Sequence, residues 1–501
     1  MKRLRAASDI GWWNRIACGL ATAVVGSAAA VAAPVLDFDD ARHLLSRTGF
    51  GATEAEVQAF VGLSREQAAD RLLRGARSEA VTPPPASVER FESPRGLKRL
   101  DDDERKDFMR RQFLISVELR SWWLQEMLVT PSPLTERMTL FWHNHFVSGQ
   151  EKVKSPVLMY RQNVLLRRYA LGNFGKLLHE IARDPAMVVY LDSAQNRKAQ
   201  PNENFAREVM ELFTLGEGAY TERDVKEAAR AFTGWSIEPE DGTFRYRRFQ
   251  HDSGTKTVLG RSGNLDGDDV LDILLAQPRC AEFIVTKLWR EFVSTEPDPR
   301  EVKRIAEFFR LNRYDVRTAL RLVLVSDAFY ADANRAVLIK SPVELVVGTL
   351  RTFDVKTGDL APFTFLTAAL GQNLFSPPNV KGWPGGEAWI NSTTLLQRKQ
   401  FLERLFRGQD MRGTDGMMPR GGPRLAKGQG KMGGEGRQRF LQALSDIDFD
   451  ADAWLASFGA AGATRIPQLV LAAAPVEPQA AGIGGLELIR DLTQDPVYQL
   501  K

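Results

Sequence analysis

Apolar residues recur at three- and four-residue intervals along most of the chain, and polar punctuation cuts that pattern into helix-sized pieces. The spacing predicts helices over 37–47, 101–129, 135–146, 158–168 and 174–182, and again over 268–276, 280–293, 300–311, 316–326, 343–353 and 393–406. Thr53 with Glu56 and Ser64 with Gln67 have the capping-box spacing that starts two more. The densest punctuation lies between Pro201 and Trp235. Asn202 is placed as an N-cap, a helix runs to Leu215, and Gly216 stands where a C-terminal glycine belongs. Thr221 and Asp224 open a second helix that reaches about Thr233 and Gly234. In the first of the two, Phe205, Val209, Leu212 and Phe213 form a core stripe. Glu203, Arg207 and Glu211 form a second stripe, and Glu208 lies between Asn204 and Glu211. Two readings fit that polar stripe. One is a solvated face with ion pairs worth a few tenths of a kcal/mol each. The other is a set of carboxylates aimed into a cleft.

The period changes only once. Residues 243–249 alternate, and 256–259 can supply a return strand across a turn at 251–254. The expected fold is therefore mainly α, a large multi-helix domain with a small β-hairpin insertion. Residues 407–439 differ in kind, with ten glycines and eight basic residues against three acidic ones. Such a composition builds no core, so a disordered cationic linker is expected there. It separates a main domain over 33–406 from a C-terminal helical segment over 440–501 that packs back on it.

The first 32 residues read as a signal peptide. Lys2, Arg3, Arg5 and Arg15 precede an apolar run from Ile16 to Val25 that is too short to span a bilayer, and Ala30-Val31-Ala32 offers a cleavage site. Export to the periplasm or beyond is expected, and no later segment has the length and apolarity of a transmembrane helix. The leader holds four of the 67 basic and one of the 63 acidic residues, which leaves a mature net charge of +1. That excludes the electrostatic footprint of a nucleic-acid binder. Cys280 is then the lone cysteine, placed to open an apolar helix as a buried inert thiol.

Common catalytic signatures are missing: no His-Glu-x-x-His, no Gly-x-Ser-x-Gly and no Walker loop. Asn264, Asp266 and Asp268 have calcium-loop spacing, but Asp269 and Leu275 stand where such a loop needs Gly and Glu, so a polar helix N-terminus is the better reading. His143 and His145 sit two apart in WHNHF. On a helix they project about 200° apart and cannot share an ion. If the segment frays at Asn144, both imidazoles reach one metal. His251-Asp252 lies in a glycine turn, where an imidazole beside a carboxylate is accessible. The loop from Phe375 to Asn391 is stiffened by Pro377, Pro378 and Pro384 and carries Trp383 and Trp389. It is either an ordered loop packed by its own aromatics or a cleft wall that stacks a ligand.

Several stretches together resemble the bacterial domain-of-unknown-function 1800 family. They are HLLSRTGFGAT from His43, ERMTLFWHNHFVSG from Glu136, the run from Asp184 to Trp235, HDSGTKTVLG from His251, KSPVELV from Lys340, the PPNVKGWPGG loop and the closing DPVYQLK. The resemblance implies an exported, mainly helical domain. It implies functional roles for His143, His145, Asn202, Glu203, Asn204, Arg207, Glu208, Glu211, His251, Asp252 and Lys256. It also implies a sulfatase-like protein of the domain-of-unknown-function 1501 family as partner. Many relatives carry His where this chain has Phe213.

The functional expectation is one cleft acting on an extracellular or envelope polymer such as a polysaccharide, by hydrolase or lyase chemistry with a divalent metal as candidate cofactor. Glu208, Glu211, His251 and Asp252 are its candidate acids and bases. Asn202, Asn204, Arg207, Lys256 and Trp383 are its substrate contacts, and His143 and His145 its metal ligands. The alternatives are a non-catalytic scaffold or secretion partner, and a glycan-binding module.

Overall fold

Helix boundaries follow the local capping signals closely. The computed structural model describes residues 34–93, 101–407, 447–477, 479 and 482–501. The expected signal peptide and most of the expected linker lie outside those residues. Thr53, Ser64, Asp101, Thr221, Asp266 and Ser341 each close a reciprocal capping box with the residue three positions on. Asp266 and Asp269 thus start a helix, Gly267–Ala276, and form no calcium loop. Four α-helices before residue 407 were not legible from spacing: the single turns Gln150–Val153 and Asp327–Tyr330, and two longer ones. Asp184 ends one helix but also caps the next, Pro185–Tyr190, and Ala361–Ala369 carries no side-chain cap to announce it.

Among the described residues helices dominate, with two small antiparallel sheets of two strands each. Here the structure corrects the expected hairpin. Residues 243–249 do not pair with 256–259. Phe244–Tyr246 pairs with Trp235–Ile237, and Lys256–Val258 pairs with Arg261–Gly263. Leu259 and Gly260 both have positive φ (47° and 79°), so they make the tight two-residue turn that folds Lys256–Val258 onto its own successor. The Asp224 carboxylate accepts from the Leu259 amide at 2.7 Å and holds that turn.

The helix Pro133–His145 is the hub. All its residues but Pro133 and Asn144 are buried, as befits a helix surrounded by others. Its apolar side chains join a cluster that runs from Leu36 to Tyr498 and includes the fully buried Trp123, Trp142 and Trp289. Its polar side chains radiate to different neighbours, because a buried polar group must find a partner. Glu136 pairs with Arg167, Arg137 with Glu291 and Glu344, and the two histidines reach the Phe375 loop and the Phe213 backbone. The C-terminal residues join the same body. The Gly485–Gln494 helix packs on Ser392–Arg407, and Lys340 N–H donates to the Gln499 carbonyl at 2.8 Å. Among the described residues no helix is long and apolar enough to cross a membrane. Cys280 is fully buried, and burial pushes its thiol up to about 12, so it is inert at neutral pH.

Candidate functional site

The Pro201–Trp235 stretch does not form the regular helix its spacing predicts. Asn204–Glu208 is α-helical and Val209–Thr214 widens into a π-helical turn. Asn202 does not cap it. Its side chain turns the chain by accepting from Asn204 N–H at 2.9 Å, and Asn204 reaches Asp192 at 3.3 Å. The wide turn leaves carbonyls facing outward at its end, and these need donors. Lys287 donates to Leu212 O at 3.3 Å, His145 Nε2 to Phe213 O at 3.1 Å and Arg279 to Leu215 O at 3.2 Å. WHNHF and the Pro278–Phe292 helix thus hold the organising stretch by its C-terminal end.

Its polar stripe divides. Arg207 forms a two-point pair with Glu222 at 2.7 and 2.8 Å and a second pair with Glu203 at 3.2 Å, on the open surface. That part is the solvated ion-pair face. Glu211 accepts from the Tyr220 hydroxyl at 2.8 Å. Burial and the adjacent Glu211 charge raise the Glu208 carboxyl above its usual range.

The histidines are not brought to one point. His143 is buried, its Nε2 accepting from Phe375 N–H at 3.2 Å and its ring packed between Trp123 and Trp383. Desolvation pushes it down to about 3, so it is neutral. In His145 both ring nitrogens are engaged, Nε2 with Phe213 O and Nδ1 as acceptor from Lys287 Nζ at 3.0 Å. Burial lowers its pKa well below the ordinary value. The helix continues through His145 without fraying at Asn144. The two imidazoles therefore do not fit a shared metal ion, and among the described residues no group of three or more His, Cys, Asp or Glu is arranged to hold one. His251 is not an accessible turn residue. It is 9% exposed, packs on Tyr246 and donates from Nδ1 to Thr233 O at 3.0 Å. His43 is buried against Phe329.

His179 differs because both its nitrogens face carboxylates, Asp268 at 3.1 Å and Asp272 at 3.0 Å, with Arg183 also on Asp268. Those hydrogen bonds raise its pKa. A raised folded-state pKa contributes stability that is complete below the unfolded value near 6.5 and fades as pH climbs through the folded value. The His179→Gln variant is therefore expected to melt below the native chain at pH 5.5 and to converge with it by pH 8.5. A gap independent of pH refutes this.

Asp252 and Lys256 belong to a separate network. Asp252 accepts from Arg230 at 2.7 and 3.2 Å and from Gly254 N–H at 2.8 Å. Lys256, 1% exposed, gives its ammonium protons to Gly254 O at 3.0 Å and Leu265 O at 2.8 Å. The pair ties the second hairpin to the helices on either side of it.

A cleft of about 700 Å³ opens elsewhere, between the hub helix, the Pro278–Phe292 helix, the 337–341 segment and the tryptophan loop. His145, Trp383, Trp389 and Lys381 line it, whereas Glu208, Glu211, His251, Asp252 and Lys256 do not. Trp383 is 4% exposed and Trp389 7%, so both pack the wall more than they offer faces to a ligand. Asn144 fixes the loop by accepting from Trp383 N–H at 2.7 Å and donating back to its carbonyl at 3.3 Å. The cations at the cleft are Arg137, Lys287, Arg290, Lys381 and Lys501, and the carboxylates are Glu291, Glu344 and Glu387. Arg137 neutralises Glu291 and Glu344, and Lys501 also pairs with Glu344. Lys287 and Arg290 have no carboxylate partner among the described residues. Burial and the charge of Arg290 push the Lys287 ammonium down to about 8. Neither spacing nor composition marks Lys287 and Arg290. The only local sign is a lysine three positions after Ile284 and one before Leu288, at the edge of an apolar stripe.

Residues 43–481 match the model of the family described as "Protein of unknown function (DUF1800)", and the chain belongs to that family. No curated protein and no solved structure matches it.

Proposed function

We propose that this is an exported binding protein whose cleft takes an anionic segment of an extracellular or envelope polymer, such as a sulfated or uronic-acid polysaccharide. The observation that carries the reading is the pair Lys287 and Arg290, cationic and without a carboxylate partner among the described residues, on the wall of a cleft of about 700 Å³. Two of the three Lys287 ammonium protons are taken by His145 and Leu212, which leaves one for a ligand. Trp383 and Trp389 supply rigid apolar walls beside them.

Titration calorimetry of the purified chain with sulfated, uronic-acid and neutral oligosaccharides tests it. Only the anionic ones should bind, more weakly as salt rises. Arg290→Ala and Lys287→Ala should each lose about tenfold in affinity, the worth of one charge-assisted hydrogen bond. Equal binding of neutral oligosaccharides, or no effect of either variant, removes the proposal.

One observation favours a catalytic second reading, hydrolase or lyase action on a stretch of the same polymer that lies outside the cleft. Glu208 has a raised pKa beside Glu211 at a π-helical turn, a feature frequent at functional sites. Release of shorter products in the same titrations, lost in Glu208→Gln with binding retained, selects it. For the sulfatase-like partner implied by the family resemblance, co-purification with the tagged chain is the test.

A further inference from the structure

A second, smaller cavity lies between the Phe38–Thr48 helix, the Pro342–Thr352 helix and the C-terminal residues. Its volume is about 40 Å³. One water needs roughly 10–15 Å³ on this measure, so a few waters or one small ion fit. Arg42, Lys340 and Lys501 bring three basic side chains to its wall, and Glu344 is the one carboxylate side chain among its described lining residues. Glu344 is already held by Lys501 and, from the cleft side, by Arg137.

Arg42 is left in deficit. It is 7% exposed, Nη2 donates to Ala472 O at 3.0 Å, and Nε is buried with no partner. Asp39 acts on it only through its field. The Lys340 ammonium lies 4.0 Å from the centre of the Tyr498 ring, and the Tyr498 hydroxyl is occupied by Thr349. Behind Lys340, Arg398 donates to the Lys340 carbonyl at 3.0 Å and adds another buried guanidinium. Burial, reinforced by Arg42, Arg398 and Lys501, pushes Lys340 down to about 7. Basic side chains in excess of carboxylate side chains around a small cavity call for a counter-ion.

We propose that this cavity is a binding site for one small monovalent anion of the halide class, held by the Arg42 guanidinium and the Lys340 ammonium. It goes beyond the polymer-binding reading and does not depend on it. The site joins the first helix to the last residues of the chain, where Lys501 N–H donates to Leu338 O at 2.8 Å. A bound anion therefore stabilises the closure of the C-terminal segment on the body.

The test is thermal unfolding of the purified chain at fixed ionic strength with chloride, bromide or gluconate as the sole anion. Chloride and bromide should raise Tm over bulky gluconate by about 1–3 °C, saturably. Lys340→Met should lose that difference. Independently of any variant, crystals of the native chain grown in bromide should show an anomalous peak in the cavity, within reach of the Arg42 guanidinium and the Lys340 ammonium. Equal Tm in chloride and gluconate, or no bromide peak in the cavity, overturns the proposal.

Discussion

Arg167→Met is expected to destabilise the protein by about 3–5 kcal/mol, the cost of leaving one member of a buried ion pair alone. Arg167 and Glu136 are each 1% exposed by side chain and meet at 2.6 and 2.9 Å through two parallel hydrogen bonds. Trp123 Nε1 donates to the same Glu136 carboxylate at 2.8 Å, and Arg167 reaches Asn163 at 2.7 Å. Methionine fills most of the arginine volume, so packing loss is small and the effect reports the stranded carboxylate. Adding Glu136→Gln should recover part of the loss, because the neutral amide no longer demands a cation. Urea unfolding of the two variants against the native chain measures both steps. A single variant within 1 kcal/mol of native would show that water reaches Glu136, and that the hub helix is not sealed as described.

Gly382→Ala should be the most damaging single change in the tryptophan loop. Gly382 has φ +83°, and a Cβ there would overlap the Asn144 side-chain amide and approach its carbonyl to 2.7 Å. The backbone conformation costs a non-glycine residue about 1–3 kcal/mol, and forcing atoms into a filled space costs a similar amount. Asn144 cannot yield without releasing both hydrogen bonds that fix Trp383. Gly385→Ala is the control. Its φ is +73°, but nothing lies within 4 Å of the added methyl. The difference between the two variants in urea midpoint isolates the overlap. Gly382→Ala should also weaken binding of anionic oligosaccharides by displacing Trp383, and Gly385→Ala should leave it closer to native. Equal effects of the two substitutions would show that Asn144 does not hold the loop.

Much of the helical architecture was readable because its signals are short in range. A capping box spans three residues, and a core stripe repeats within four. Thr53, Ser64 and Thr221 therefore announced their helices correctly. The errors came where two local patterns compete. Alternation at 243–249 and at 256–259 was real, but strand pairing depends on which turn closes, and Leu259-Gly260 closed a hairpin of its own. Asn202 looked like a cap, yet it made a tight turn two residues ahead of the helix.

The site was legible only in fragments. Trp383 and His145 reach the cleft, whereas the acids and the His251 turn that shared the same polar character do not. Composition marked the residues as polar and spacing placed them on faces. Neither says which face meets which. His145 finds the Phe213 carbonyl 68 residues away, Lys287 finds His145 across 142 residues, and Phe375 finds His143 across 232. What the sequence by itself determined is a mainly helical chain of one family, cut into helices by caps, glycines and prolines that act over a few residues. The tertiary structure alone decided that WHNHF is a buried hub, that its histidines are neutral packing and hydrogen-bonding groups, and that Lys287 and Arg290 stand at the cleft without a carboxylate partner among the described residues. The physical reason is that burial and charge pairing depend on neighbours in space, and those neighbours are remote in the chain.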